Sequence, residues 1–179
     1  TGGAITLTNA GNSFGPATIS TSGTDNASLY DSSDLTVASA NVGGTLTLSS
    51  GGAIGQTGAI HAAALNAATT AGAIMLTNSG NNFGTVTLST SGTDDASIFD
   101  ATNLIVASAN IGGDLTLSVD GSLGQTGAIH AASLNATTTG GAINLTNAGN
   151  SFAIATLATA GTDNASLYDA VDLTIAGAT

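Results

Sequence analysis

A long internal repeat constrains the fold of this chain more than any other feature. The segment Gly-Ala-Ile-Thr-Leu-Thr-Asn-Ala-Gly-Asn-Ser-Phe begins at Gly3, and close copies begin at Gly72 and Gly141, at a constant offset of 69 residues. A constant offset without insertions places every unit in an equivalent environment, which favours a solenoid over a sandwich or a barrel. We therefore predict a single β-solenoid segment over residues 1–179, a window of a longer array, with repeat units 3–71, 72–140 and 141–179, the last of them partial.

The local pattern within each unit is typical of strands with one buried face. Leu35-Thr-Val-Ala-Ser and Leu46-Thr-Leu-Ser alternate apolar residues with Thr, Ser or Ala, which is the period of two expected for a strand. Glycine pairs such as Gly43-Gly44 separate these strands and indicate turns. The Ala-rich stretch that begins at Ile60 has a composition compatible with a helix. We predict a strand there, because a helix would interrupt the stack.

The repeat length sets the expected number of coils. We divide each unit of 69 residues into three coils that average ~23 residues, with one unit running through residues 35–58, 59–79 and 80–103. The chain would then form about eight coils, a rod of roughly 37 Å at the ~4.8 Å spacing of β-strands. Leu46 and Leu115 would belong to inward ladders of Ile, Leu, Val and Ala. One phenylalanine per unit would fill the same corner of the coil: Phe14, Phe83 and Phe152.

The charge of the chain excludes several classes of partner. It has 11 Asp residues, no Glu, Lys, Arg or Cys, and a net charge of −11. A chain without cations offers no basic patch to nucleic acid or anionic lipid, and no apolar run reaches the ~18 residues of a membrane-spanning helix. We therefore expect no nucleic-acid partner and no membrane insertion. Repulsion between carboxylates would keep rods apart at neutral pH, and we expect lateral bundling where acid or Ca²⁺ neutralises it.

Two strings in the first unit carry a family resemblance. Ala-Ile-Thr-Leu-Thr-Asn-Ala-Gly-Asn-Ser-Phe-Gly starts at Ala4, and Val-Gly-Gly-Thr-Leu-Thr-Leu-Ser-Ser-Gly-Gly-Ala-Ile-Gly-Gln-Thr-Gly starts at Val42. In that order they resemble the repeats of filamentous haemagglutinin-like bacterial exoproteins, many of which are secreted by the two-partner route. The resemblance covers the whole chain. It implies a right-handed parallel β-helix at the bacterial surface, serving as an adhesin, a biofilm-matrix component or a stalk, without catalytic residues.

Aspartates that recur with the repeat are the candidates for chemistry. Asp25 and Asp31 could form a carboxylate pair for glycoside cleavage. The alternative is that these aspartates form Asx turns, which place a carboxylate against nearby backbone N–H groups. A third hypothesis is Ca²⁺, which takes carboxylate and carbonyl oxygens, although the nonapeptide of calcium-binding β-rolls does not occur here. The candidate calcium ligands are Asp25, Asp31, Asp94, Asp100, Asp163 and Asp169.

The two histidines, His61 and His130, occupy equivalent positions in successive units. Three coils would separate them by about 14 Å, too far for both to bind one metal ion. We expect each to be exposed to solvent or hydrogen-bonded within a turn.

The sequence predicts a structural and interaction protein with neither catalytic activity nor a cofactor. Its expected role is an extracellular rod in a bacterial adhesin, surface fibre or biofilm matrix. The expected partners are further copies, associated end to end or laterally, and a polysaccharide or cell-surface ligand. The alternatives are a carbohydrate-active β-helix enzyme and a protomer of a self-assembling homopolymeric filament.

Overall fold

A computed structural model describes residues 2–179, which form 18 β-strands and no helix. Every pairing between these strands is parallel. The described part of the chain thus holds no helix of the length and apolarity that a membrane span needs. The strands are β1 Ile5–Leu7, β2 Ala17–Ser20, β3 Ala27–Asp31, β4 Leu35–Ser50, β5 Ile54–Gln56, β6 Ile60–Thr69, β7 Ile74–Leu76, β8 Asn82–Ser89, β9 Ala96–Asp100, β10 Leu104–Asn110, β11 Asp114–Val119, β12 Leu123–Gln125, β13 Ile129–His130, β14 Ser133–Thr138, β15 Ile143–Leu145, β16 Ile154–Ala158, β17 Ala165–Leu167 and β18 Thr174–Ala178.

The chain visits two stacks of strands in turn. Stack A consists of β1, β3, the second half of β4, the second half of β6, β8, β10, β12, β13, β15 and β17. Stack B consists of β2, the first half of β4, β5, the first half of β6, β7, β9, β11, β14, β16 and β18. The inward side chains of both stacks share one apolar core. The outer surfaces of the two stacks therefore point in opposite directions.

The coils are shorter than the sequence suggested, and the repeat does not span a whole number of them. Paired residues in adjacent coils lie 19 residues apart at Leu46 and Leu65 and 22 apart at Ile74 and Ala96. About nine coils result, close to the eight expected. Ile5 lies in stack A, but its repeat equivalent Ile74 lies in stack B. The next equivalent, Ile143, is again in stack A, so one 69-residue unit covers three and a half coils rather than three.

The alternating pattern places the predicted residues in the core. Leu46 and Leu115 are both fully buried, which confirms the predicted inward phase. Residues 60–69 form strand β6 and not a helix, as predicted. Burying one such side chain contributes roughly 1.5–3 kcal/mol relative to leaving it exposed. Phe83 and Phe152 are buried as well, but the half-integral repeat places them in alternate halves of the coil and not at one corner.

Glycine is required at the corners of the coil because coils stack there backbone against backbone. Gly43 and Gly44, predicted to separate two strands, lie instead inside β4, at the bend where β4 passes from stack B to stack A. A Cβ atom at Gly43 would overlap the carbonyl group of Gly23 in the preceding coil, and one at Gly112 would overlap that of Gly92. Gly23 and Gly92 themselves have φ angles of 56° and 59°, in the left-handed region that glycine adopts at little cost. The all-β parallel β-solenoid predicted from the sequence is thus confirmed.

Candidate functional site

An aspartate near the end of a strand links adjacent coils in each repeat, and it is buried in the first two repeats. Asp100 is completely buried. Its Oδ2 accepts a hydrogen bond from the backbone N–H of Phe83 at 2.5 Å, and its Oδ1 accepts two bonds from Thr102, from N–H at 2.7 Å and from Oγ1 at 2.8 Å. Asp31 makes the same set of bonds with Phe14 and Ser33. The Asx turn proposed for this position is present, and it is combined with a bond to the preceding coil.

These hydrogen bonds determine the ionisation of Asp31. Burial raises the pKa of its carboxyl group, but the N–H donors of Phe14 and Ser33 and the Ser33 hydroxyl stabilise the carboxylate and outweigh that effect, so the pKa lies below its ordinary value. The group is therefore a charged, structurally bonded carboxylate at neutral pH. A general acid of a glycosidase needs the opposite, a pKa raised towards neutrality.

The structure does not bring Asp25 and Asp31 together. Asp25 lies in the turn before β3, whereas Asp31 is the last residue of β3. The four steps along β3 alone span ~13 Å, and the carboxyl groups of glycosidases lie about 5–9.5 Å apart. The geometry of this pair is that of two separate turns.

The remaining predicted calcium ligands are also dispersed. The Asp94 carboxylate accepts the backbone N–H of Gly72 at 2.7 Å, which leaves it bonded across coils. The turn that holds Asp163 is exposed, and Asp169 bonds the N–H groups of Phe152 and Val171. Within residues 2–179 no three carboxylate or imidazole side chains converge on a point that could hold a metal ion.

Buried amide pairs are a feature that the sequence analysis missed. Asn81 is completely buried. It exchanges two hydrogen bonds with the side-chain amide of Gln56, both at 2.8 Å, and it also accepts the N–H of Ile60 at 2.9 Å. Gln125 and Asn150 form an equivalent pair in the next repeat. The signal was available in the sequence, because each of the two glutamines of the chain lies 25 residues before the last Asn of an Asn-x-Gly-Asn turn.

The histidines lie on the outer surface, far from each other. His61 pairs with Asn41 and Asn82 in the neighbouring coils, and its side chain is exposed. His130 occupies the equivalent position 69 residues later, three and a half coils along the axis and on the opposite side. Their axial separation is roughly 17 Å, somewhat more than the spacing expected from three coils.

The outer surfaces carry two matching rows of polar side chains. In stack A, outward residues of four adjacent coils are in register, and we call them row A: Ser28, Thr47, Asn66 and Thr87. In stack B the equivalent residues of the next repeat form row B: Ser97, Thr116, Asn135 and Thr156. The residue types are identical in the same order. Within the described residues, no hydrogen bond involves any of these eight side chains, so their donors and acceptors face solvent.

The comparisons with known proteins identify the repeat. No curated protein and no solved structure matches the chain. A model of a family described as repeats of unknown function (DUF5649) matches residues 24–90 and again residues 93–159, together well over half of the chain. The two matches fall on successive copies of the solenoid unit described above. The chain therefore belongs to the family of repeats of unknown function (DUF5649).

Proposed function

We propose that this chain is a segment of an extracellular β-solenoid rod, serving as an adhesin stalk, a surface fibre or a part of a biofilm matrix. The observation that carries the proposal is the repetition itself. About nine coils share one continuous core, and each unit of 69 residues extends it without a change in the inward pattern. Such a design supplies length and stiffness, which is what a stalk requires.

The outer chemistry supports a location in contact with water and other polymers. The outward positions of the strands are mostly Thr, Ser and Asn, and the net charge of −11 is spread over turns, buried sites and the exposed Asp114 of β11. The resemblance to filamentous haemagglutinin-like repeats points to a bacterial surface and to adhesion. A rod with these faces would make many weak hydrogen bonds to a polysaccharide or to a neighbouring fibre, and would need no catalytic residue or cofactor.

Surface labelling of intact cells tests the proposed location. Antibodies raised against the 179-residue segment should label the outside of intact cells of the producing bacterium, with an antibody to a cytosolic enzyme as the negative control. We expect gold particles on the envelope or on extracellular fibres in electron micrographs. Labelling that appears only after permeabilisation would contradict the proposal.

An activity assay separates the rod from the carbohydrate-active enzyme. We expect the purified segment to release no reducing sugar from a panel of polysaccharides, and the substitutions Asp25→Asn and Asp31→Asn to leave that result unchanged. Release of sugar by the wild type that either substitution abolishes would favour the enzyme over the rod.

A further inference from the structure

We infer that the rod binds neutral polysaccharide on two opposite sides and so bridges two glycan chains or surfaces. The inference rests on the proposed function and assigns the contact to rows A and B. It follows from the half-integral repeat: three and a half coils separate equivalent residues, so a surface on stack A recurs on stack B.

The regular spacing of each row fits an extended, repeating partner. Thr47 pairs with Asn66, and Asn66 pairs with Thr87, so successive side chains along row A lie one coil apart, ~4.8 Å. This spacing is close to the length of one sugar unit in an extended polysaccharide chain. Four hydroxyl or amide groups in line would each meet a hydroxyl-bearing ring, and the chain of sugars would lie along the rod.

The charge distribution selects a neutral glycan. Although the chain carries a net charge of −11, none of the residues in rows A and B is ionisable. The half-buried Asp25 and Asp94 lie in turns. Asp114 is exposed on the outer side of β11, two residues before Thr116, where its carboxylate accepts a hydrogen bond from the Ser133 hydroxyl and would repel an anionic chain. Anionic polysaccharides would be repelled by the net charge, whereas an uncharged glycan would meet only hydroxyl and amide groups.

The size of the surface argues against a second copy as the occupant. The whole outer face of stack A extends over about nine coils and, with about three outward residues per strand, covers roughly 40 Å by 14 Å. A stable protein–protein interface buries about 800 Å² per partner, more than that area. A long polymer that contacts row after row gains affinity from many weak contacts in parallel.

Charge substitutions in each row test the inference. We would prepare T47D/T87D for row A, T116D/T156D for row B, and the combination of all four. The matched control is T24D/T93D, which adds two carboxylates at exposed turn residues. Circular dichroism and thermal melting would establish that every variant folds. Each protein, taken from the monomeric size-exclusion fraction, is mixed with cellulose or mannan particles, and with alginate as an anionic polymer.

Two readouts distinguish binding from bridging: the protein that sediments with the particles, and the aggregation of the particles themselves. We expect the wild type and the control to bind a neutral polysaccharide and to aggregate its particles. Each single-row variant should keep about half the binding capacity but lose aggregation, and the combined variant should lose binding about tenfold or more. Binding to alginate should be weaker than to the neutral particles.

Several results would overturn the inference. These are a wild type that sediments with neither neutral polysaccharide, a single-row variant that loses all binding, and a folded combined variant that binds like the wild type. Turbidity of the protein alone that the row substitutions abolish would identify a second copy as the partner instead. Because the assay uses purified protein, it fails independently of the cell-labelling experiment that tests the extracellular location.

Discussion

The buried carboxylates are stabilised by hydrogen bonds alone, because the chain contains no Lys or Arg that could pair with them. Asp100 accepts bonds from Phe83 in the preceding coil and from Thr102 in its own turn. Hydrogen bonds to a charged group contribute about 1.5–3 kcal/mol each, and a buried donor left without its acceptor costs about 1–3 kcal/mol. Single side chains of this kind therefore hold one coil in register with the next.

Replacing Asp100 by alanine should destabilise the solenoid strongly. The substitution removes the acceptor for Phe83 and Thr102, and we expect a loss of about 2–4 kcal/mol in the free energy of unfolding. Urea denaturation followed by circular dichroism measures the loss. Asp163→Ala is the matched control, because Asp163 is exposed and its carboxylate makes no hydrogen bond within residues 2–179. Equal stabilities of the two variants would show that the buried carboxylate does not contribute.

The lowered pKa of Asp31 predicts a loss of stability in acid. Because the folded-state pKa lies below the unfolded value of about 3.9, the unfolded chain binds the proton more readily. The stabilisation is therefore fully present above that unfolded value and is lost as the pH falls through the folded pKa. Asp31→Asn should have a flatter dependence of melting temperature on pH between about 5 and 2. Parallel curves for the wild type and the variant would rule out this linkage.

At the scale of the strand, the effect of a substitution on stability depends on which side of the sheet the residue faces. Leu115 and Thr116 are neighbours in β11, but Leu115 is fully buried and Thr116 belongs to row B. The same alternation holds throughout β14 and in the second half of β4, from Leu46 to Ser50. A charged substitution at one inward position and another at one outward position thus test the two faces of a single strand.

Leu115→Asp should disrupt local coil structure, whereas Thr116→Asp should leave it intact. The first change places an unpaired carboxylate in an apolar core and should cost several kcal/mol. The second adds a solvated charge and should change stability by no more than about 0.5 kcal/mol. Thermal melting compares the two. If Leu115→Asp melted at the wild-type temperature, the assignment of the inner face would be wrong.

The strands could be predicted from the sequence because a local pattern determines them. The coil length and the contacts between residues far apart in the chain were less predictable. Alternation, as in Leu46-Thr-Leu-Ser, placed the strands correctly, and β6 was identified despite its alanines. The Gly43-Gly44 pair, predicted as a turn between two strands, lies instead inside β4, where the pairing register shifts. The coil length was harder, because a repeat of 69 residues is equally compatible with three coils or with three and a half. The Gln56–Asn81 pair was missed because it joins residues 25 apart, a distance that no local pattern reports.

At the scale of the whole molecule, the two ends of the stack differ from its interior. Leu7 is 46% exposed, although its equivalents Leu76 and Leu145 are completely buried. At the other end, Ile175 is 50% exposed, whereas Val37 and Val106 at the equivalent positions are completely buried. The strands β1 and β18 each pair on one side. A further coil, from the same chain or another copy, would bury these side chains and complete the pairing.

The isolated 179-residue segment should accordingly associate end to end. We expect size-exclusion chromatography with light scattering to detect axial oligomers whose mass rises with protein concentration. Ile175→Asp should shift the population towards monomer by charging one end, while Thr47→Asp, on a lateral surface, should not. A wild type that remained monomeric at millimolar concentration would contradict this expectation.

Because one repeat covers a half-integral number of coils, the orientation of everything after an array depends on whether the number of units is odd or even. A recombination event that deletes one 69-residue unit would rejoin equivalent sequence with equivalent sequence, so the core would continue without a mismatch. Everything downstream, however, would be rotated by half a turn, and surfaces that had faced one way would face the other. Loss of a second unit would restore the original orientation. Alleles with odd and with even numbers of units would therefore encode rods of the same chemistry. A segment attached after the array would face one way in the first kind of rod and the opposite way in the second.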